Sequence, residues 1–425
     1  MDIHGAASPV LAEAWDKFHA AQNEVLGWMT SSDRFRNVPQ HRAKAYHTAI
    51  EAIAMAYNFA VAPRMLHPRL FVNTGWQTDM YTLGQNGPDL YYAVCFLDGT
   101  QEYRLTGNYN DSVLILGQVI KYLSGHPDST VVGNFDLSTF DIAPDGSFEF
   151  ILSAREHPGN WIRLDSESRY NFLLFRRFMR DWNDKKPEMQ LERISPLPDD
   201  YYDADEFDEA AMAERIDRAR EFMRYLIRDF NMNLYEWYLG NASRGADQPV
   251  EIVGERSAVE PGFNRLAFLP GTITSTVGSP SSNYAMAIYD LAEDEALILE
   301  LDQLPDGVYW SFQLGDVWSR SLNYMYRQTS ISGHHAAVDA DGGFRAVVAH
   351  RDPGVKNWLD TTGRVQGTVV FRNYRATREP VPKSRKVKLS EVLDHLPPDT
   401  TMITPEERAE ALARRHRGVL ALHGE

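Results

Sequence analysis

The chain has one cysteine in 425 residues, Cys95, so no internal disulfide can stabilise it. Cys95 sits in the apolar run YYAVCFLD, a setting that suits packing and not nucleophilic chemistry. Long hydrophobic runs are also missing. The most apolar stretch, AIEAIAMAYNFAVA, is interrupted by Glu51 and is too short to cross a bilayer. No basic segment followed by an apolar one marks a secretory signal, so the expected location is cytoplasmic. Positive charge is in deficit: 43 Lys and Arg face 59 Asp and Glu, for a net charge of -16. Such a surface repels phosphate backbones and anionic lipid, so neither nucleic acid nor membrane is an expected partner. The G-x-S-x-G elbow, the phosphate-binding glycine loop, the dinucleotide fingerprint, H-E-x-x-H and paired cysteines are all absent. No cofactor is expected, and no metal is assigned.

Apolar residues (43%) and aromatics (12%) are plentiful, enough for large cores in two or three domains. Residues 1–65 read as a helical region. Leu11, Trp15, Phe18 and Leu26 fall near one helical face, and Ala43, Tyr46, Ile50, Ile53 and Tyr57 near another. Residues 66–200 change to short apolar runs separated by Gly, Asn, Asp and Pro, the pattern of a first β-domain. Residues 201–245 form a connecting helix, 246–378 a second β-domain, and 379–425 a helical tail. In that tail Thr404-Pro405-Glu406-Glu407 is a capping-box signature.

The two β-rich stretches resemble one another. DGSFEFILSAREHPGNWIRLD (Asp145 to Asp165) is echoed by DGGFRAVVAHRDPGVKNWLD (Asp341 to Asp360). Tyr92-Ala93 matches Tyr284-Ala285, EYRLTGN matches ALILELD, and Phe175-Arg176 matches Phe371-Arg372. Order and spacing persist while the offset drifts only from 192 to 197. The expected fold is mainly β with helical extensions: two related jelly-roll or sandwich-like domains, an internal duplication, joined by a long helix. Within the shared phrase, Asp-Gly and Pro-Gly are turn signals, Asn can satisfy loop amides and Trp can anchor a loop. A phrase present in both halves reads as architecture.

The segment VYWSFQLGDVWSRSLNYMYRQTSISGHHAAVDADGGFRAVVAHRDPGVKNWLDTTGRVQGTVVFR is similar to the domain-of-unknown-function 1214 family, most specifically at AHRDPGVKNWLDTTGR. The similarity extends to GPDLYYAVCFLDGTQEYRLTGN, to EHPGNWIRLD and to VKLSEVLDHLPPDTTMITPEERAEALARRHR, and so to most of the chain. The resemblance implies a β-rich, jelly-roll-like architecture. It implies no settled reaction and no catalytic residues. Similar proteins tend to write Gly-Asp-Asn-Pro-Asp where this chain has GQNGPD, so that loop's first carboxylate is missing here.

Chemistry is sought where the halves differ. GDVWSRSLNYMYRQTSISGHHAAVD has no counterpart of like composition in the first half and mixes aromatic with polar groups, as ligand pockets do. Trp318, Asn323, Tyr324, Arg327, His334, Trp358 and Asp360 are the candidate substrate-binding residues. His350 is the candidate acid or base, with Asp352 orienting it, because the first copy has Ala154 or a neighbour at that place, although His157 sits close by. His334, His335, His350 and Asp352 are suitable metal ligands by type. Adjacent histidines on a strand diverge, however, and converge only in a turn. A carboxylate pair could come from Asp89, Asp302, Asp316, Asp352 and Asp360. Two readings follow: an enzyme of hydrolase or lyase type acting on a small hydroxylated or apolar molecule, or a non-catalytic ligand-binding or homo-oligomeric scaffold.

Overall fold

The computed structural model describes residues 3–72, 81–197, 206–239, 262–269, 282–378 and 380–423. The described residues are mainly β, with four sheets and several helices among them. It divides into two compact units. The first comprises Met1–Trp76, Tyr91–Arg177 and Lys185–Met232; the second comprises Gln77–Leu90, Phe178–Asp184 and Asn233–Glu425. Two short pieces of the first β-rich stretch thus belong to the second unit. Among the described residues, no helix is long and apolar enough to cross a membrane.

The strands in chain order are β1 (Phe71–Val72), β2 (Leu90–Leu97), β3 (Tyr103–Asn108), β4 (Leu114–Ile120), β5 (Val131–Asp136), β6 (Ser147–Ser153), β7 (Trp161–Arg163), β8 (Asn171–Phe178) and β9 (Glu188–Arg193). They build one sheet of order β1-β2-β8-β4-β5 and one of order β7-β6-β3-β9. Then follow β10 (Ala267–Phe268), β11 (Ser282–Asp290), β12 (Glu295–Leu301), β13 (Tyr309–Gly315), β14 (Ser330–Ser332), β15 (Phe344–Ala349), β16 (Trp358–Asp360), β17 (Gln366–Tyr374) and β18 (Lys383–Lys388). Their orders are β10-β11-β17-β13-β14 and β16-β15-β12-β18, the first pair of sheets again with every strand advanced by nine places.

Alternation explains the cores. Ala93, Cys95 and Leu97 of β2 face inward with Leu105, Phe150, Leu173 and Phe175 from both sheets of the first unit. Leu297, Phe312, Leu314, Phe344, Val348 and Phe371 do the same in the second. Burial pushes the Cys95 thiol well above its ordinary pKa, which leaves it inert at neutral pH.

The repeated phrase performs one task twice. Asn160 donates to the carbonyls of Asp141 (2.8 Å) and Glu149 (3.1 Å) and accepts from the Asp141 amide (3.0 Å). Asn357 donates to Ala337 (2.7 Å) and Arg345 (2.9 Å) and accepts from the Ala337 amide (2.9 Å). The indoles of Trp161 and Trp358 donate to the carbonyls of Ser153 (3.0 Å) and Ala349 (3.1 Å). Each set holds a short parallel strand, β7 or β16, against its neighbour. Glycines at left-handed φ, Gly146 (83°) and Gly342 (80°), close the turns before β6 and β15.

Four helices are labelled: α1 (Pro9–Ser31), α2 (Arg42–Ala56), α3 (Glu209–Arg224) and α4 (Pro405–His423). The face expected of α1 holds at Leu11 and Phe18, which pack beside Ala14, but not at Trp15, and the face expected of α2 is corrected. α1 buries Ala14, Ala21, Val25 and Met29, while Trp15 is about half exposed. α2 buries Ala45, Thr48, Ala49, Ala52, Met55 and Ala56, while Tyr46, Ile50 and Tyr57 lie exposed. Small residues set the contact because they let helices approach closely: Ala14 of α1 packs with Ala213 and Ile216 of α3.

β18 also falls where a helical tail was expected. It is an edge strand of sequence KSRKVK, without apolar alternation, and its lysines pair outward with Asp302, Glu295 (3.2 Å) and Asp294 (2.8 Å). The capping box forms as read: Thr404 N–H donates to Glu407 Oε2 (2.8 Å), and Glu407 N–H donates to Thr404 Oγ1 (3.2 Å). Thr404→Ala is expected to lower stability by about 1 kcal/mol in a denaturant melt.

Candidate functional site

β13 points Trp310, Phe312 and Leu314 into the core, yet Tyr309, Ser311 and Gln313 on its other face are also buried. Buried polar groups need partners, and here the GQNGPD loop supplies them. Gln313 donates to the Asn86 carbonyl and to Ser321 Oγ (3.1 Å). Ser321 donates to Asn86 Oδ1 (2.7 Å), and Asn86 donates to Tyr324 Oη (2.8 Å). Arg372 donates to Gln313 and to the Gln85 carbonyl (2.5 Å). The first unit carries the matching pair, Arg176 donating to Gln118 at 3.5 Å.

At the end of this loop Asp89 is 2% exposed. One carboxylate oxygen accepts from Trp182 Nε1 and the other from Tyr309 Oη, both at 2.7 Å. Burial first, and the Asp89 charge second, hold the Tyr309 phenol protonated far above its ordinary range. Arg415 of α4 donates to the Tyr324 carbonyl (2.5 Å) and to Ser330 Oγ (2.6 Å), and lies 4.9 Å from the Trp182 ring centre. Burial lowers its pKa to about 10, against the opposing field of Asp89. Gly418 permits this packing, because a Cβ there would stand 2.8 Å from Trp182 Cβ.

The frame carries a more open cluster. The His335 ring stacks on Trp182 at 4.5 Å and 21°. Asp181 Oδ2 lies 3.9 Å from His334 Nε2 and 4.0 Å from His335 Nε2. These side chains are 40%, 42% and 29% exposed, within reach of solvent. Gly333 to His335 form a turn after β14, the geometry in which neighbouring histidines can converge. Burial lowers the pKa of His335, as do Arg415 and His334, while Asp89 and Asp181 oppose the shift. For Asp181 burial is the largest single influence and acts upward; hydrogen bonds from Asn183 and the two histidines outweigh it, so its carboxyl titrates below the ordinary value.

The expected couple of His350 and Asp352 does not form. His350 Nε2 donates to the Leu291 carbonyl (3.0 Å), so Nδ1 accepts from Thr361 Oγ1 (2.8 Å) and its lone pair is already occupied. Asp352 accepts from Arg408 (2.8 Å) and from the Gly354 amide (2.9 Å). Both residues hold the turn, and Asp352 also docks α4 through Arg408. Trp358 belongs to the same framework, with Arg408 over its ring at 5.4 Å. Arg327 and Asp360 pair at 3.2 Å, and Asn323 accepts from the Tyr326 amide (3.2 Å). Trp318 is fully buried, with its amide bonded to Asp316. Of the candidates, His334 reaches the cluster, and Tyr324 packs with Trp182 beside it. Asp181, Trp182, Tyr309 and Arg415 were not singled out. The available signal was RDWND after β8, a polar turn with no counterpart after β17.

Residues 289–378 match a family described as "Protein of unknown function (DUF1214)", so the resemblance holds over that stretch. No curated protein matches the chain. An uncharacterised protein from Burkholderia cenocepacia is similar in structure, at TM-score 0.73 and 26% identity, over 90% of this chain and 97% of that one. A protein from Vibrio parahaemolyticus aligns at TM-score 0.45 and 13% identity, over 80% and 98% of the respective chains.

Proposed function

We propose that the chain is a cytoplasmic enzyme of hydrolase or lyase type, acting by proton transfer on a small hydroxylated molecule at Asp181, His334 and His335. One observation carries this reading: three solvent-accessible titratable side chains stand on a buried, hydrogen-bonded frame of Asp89, Tyr309, Trp182 and Arg415. Catalysis needs proton-transfer groups in reach of substrate and a rigid shell behind them. The lowered pKa of His335 favours its neutral, proton-accepting form at physiological pH. Trp182, itself packed against the buried Tyr324, gives the site an apolar wall.

We infer further that the two units are copies of one jelly-roll-like sandwich and that only the second is functional. The equal strand orders and the paired Asn and Trp contacts support the first point. For the second, the Asn160–Asp141 and Asn357–Ala337 contacts align the halves at an offset of 196 in the loop they tie down, which sets Ser138 and Thr139 opposite His334 and His335. Neither hydroxyl titrates near neutral pH.

The test is turnover across a panel of small esters, lactones and hydroxy acids. At least one member is expected to react, with a loss of about 100-fold or more in His335→Ala and Asp181→Asn. Turnover that survives both substitutions, or none across the panel, contradicts the reading.

The scaffold reading is favoured by one feature, the exposed stripe of Tyr46, Ile50 and Tyr57 on and just after α2. Solution mass settles it: an oligomer that Ile50→Glu dissociates is the expected result on that reading, and a monomeric parent chain rejects it.

A further inference from the structure

We propose that Asp181, His334 and His335 form a binding site for one divalent transition-metal ion of the zinc type. The inference rests on the reading of this cluster as the reaction site and replaces direct proton transfer by its side chains, because with an ion bound the donor lone pairs are spent on the metal. One donor atom from each residue lies within 4.8 Å of the other two. Zinc takes nitrogen and oxygen donors at about 2.0–2.2 Å, which sets neighbouring donors roughly 3.4 Å apart around a tetrahedral ion. The observed separations, 3.9 and 4.0 Å from Asp181 Oδ2 and up to 4.8 Å across the set, are wider than this, and side-chain rotations are needed to close them onto one ion.

Two of the three ligands, Asp181 and His335, have their outer atoms committed in the way a metal site requires. Asp181 Oδ1 accepts from both the amide and the Nδ2 of Asn183, each at 2.9 Å, which leaves Oδ2 turned to the histidines. His335 Nδ1 is hydrogen-bonded to Ser332 Oγ at 3.0 Å, which leaves Nε2 turned to Asp181. Second partners of this kind fix the orientation of metal-ligating carboxylates and imidazoles. The Trp182 stack holds the His335 plane, and the two imidazoles stand 5.0 Å apart at 83°, an arrangement that the turn allows and a strand would not.

The donor set selects the class of ion. Two imidazoles and one carboxylate suit zinc and its first-row neighbours, whereas magnesium and calcium prefer oxygen alone. Three protein donors leave a coordination position for water or substrate, the mark of a reactive and not a structural site. The copy in the first unit, with Ser138 and Thr139, has no such set.

Isothermal titration of metal-free full-length protein with Zn2+ tests the proposal, with metal content after dialysis as a second readout. One zinc per chain is expected. Affinity should fall about 100-fold in His335→Ala and in Asp181→Ala, and remain unchanged in His350→Gln. Asp181→Asn, which keeps the side-chain volume, guards against loss of fold and should weaken zinc by at least about tenfold. No stoichiometric binding, or binding that none of the cluster substitutions alters, overturns the metal site. The two readings separate cleanly. Zinc bound at the cluster without any turnover supports the metal site and removes the enzyme reading. Turnover that needs His335 and is indifferent to chelation supports the enzyme reading and overturns the metal site.

Discussion

Asp89→Ala is expected to destabilise the second unit by about 4 kcal/mol, measured by denaturant unfolding. The carboxylate accepts from Trp182 and from Tyr309, each at 2.7 Å, and is 2% exposed. Alanine would leave both donors buried without an acceptor, and each charge-assisted bond of this kind contributes about 1.5–3 kcal/mol. It would also remove the negative charge that offsets the desolvation of the buried Arg415 guanidinium. Asp89→Asn keeps one acceptor and should cost about half as much. Because Trp182 carries the His335 ring, Asp89→Ala should also lower zinc affinity and turnover at a position that touches neither metal nor substrate. A loss below about 1 kcal/mol would mean that the frame is not held through Asp89.

The second large effect separates twins. Asn160→Ala and Asn357→Ala each delete three hydrogen bonds to equivalent backbone groups. Water can replace those lost at Asn160, whose contacts are exposed, but not readily those at Asn357, which is 6% exposed. The expected costs are about 1 kcal/mol at Asn160 and about 3 kcal/mol at Asn357, because an unsatisfied buried group pays its full desolvation penalty. Equal costs, or the reverse order, in parallel denaturant titrations would reject burial as the deciding factor.

Much of the β framework was legible because its signals are local. Alternating apolar residues, Asp-Gly and Pro-Gly turns, and an echo at near-constant spacing mark β6 to β8 and β15 to β17 in the amino-acid sequence itself. β18 escaped because a charged edge strand carries no apolar period. Individual large residues of α1 and α2 mislead for the opposite reason, although Leu11 and Phe18 do pack inward. Trp15, Tyr46 and Ile50 look like core, but the contacts run through alanines, whose small size signals close approach only when the partner helix is known.

The site was legible only in part. The second half's polar, aromatic loop was the right region, and His334 was in it. The remaining groups come from far away in the chain: Asp89 precedes β2, Asp181 and Trp182 follow β8, and Arg415 lies on α4. Asp89 stood among five carboxylates with nothing to rank it. His350 and Asp352 attracted attention as a histidine and a carboxylate two residues apart. Spacing of that sort does not show that one nitrogen is spent on a carbonyl and the carboxylate on an arginine.

If chemistry belongs to the Asp181–His334–His335 cluster and framework to the His350–Asp352 turn, turnover of one substrate, measured side by side on folded protein, falls about 100-fold or more in His335→Ala and less than about threefold in His350→Gln. A larger loss in His350→Gln than in His335→Ala would place the chemistry at the turn instead.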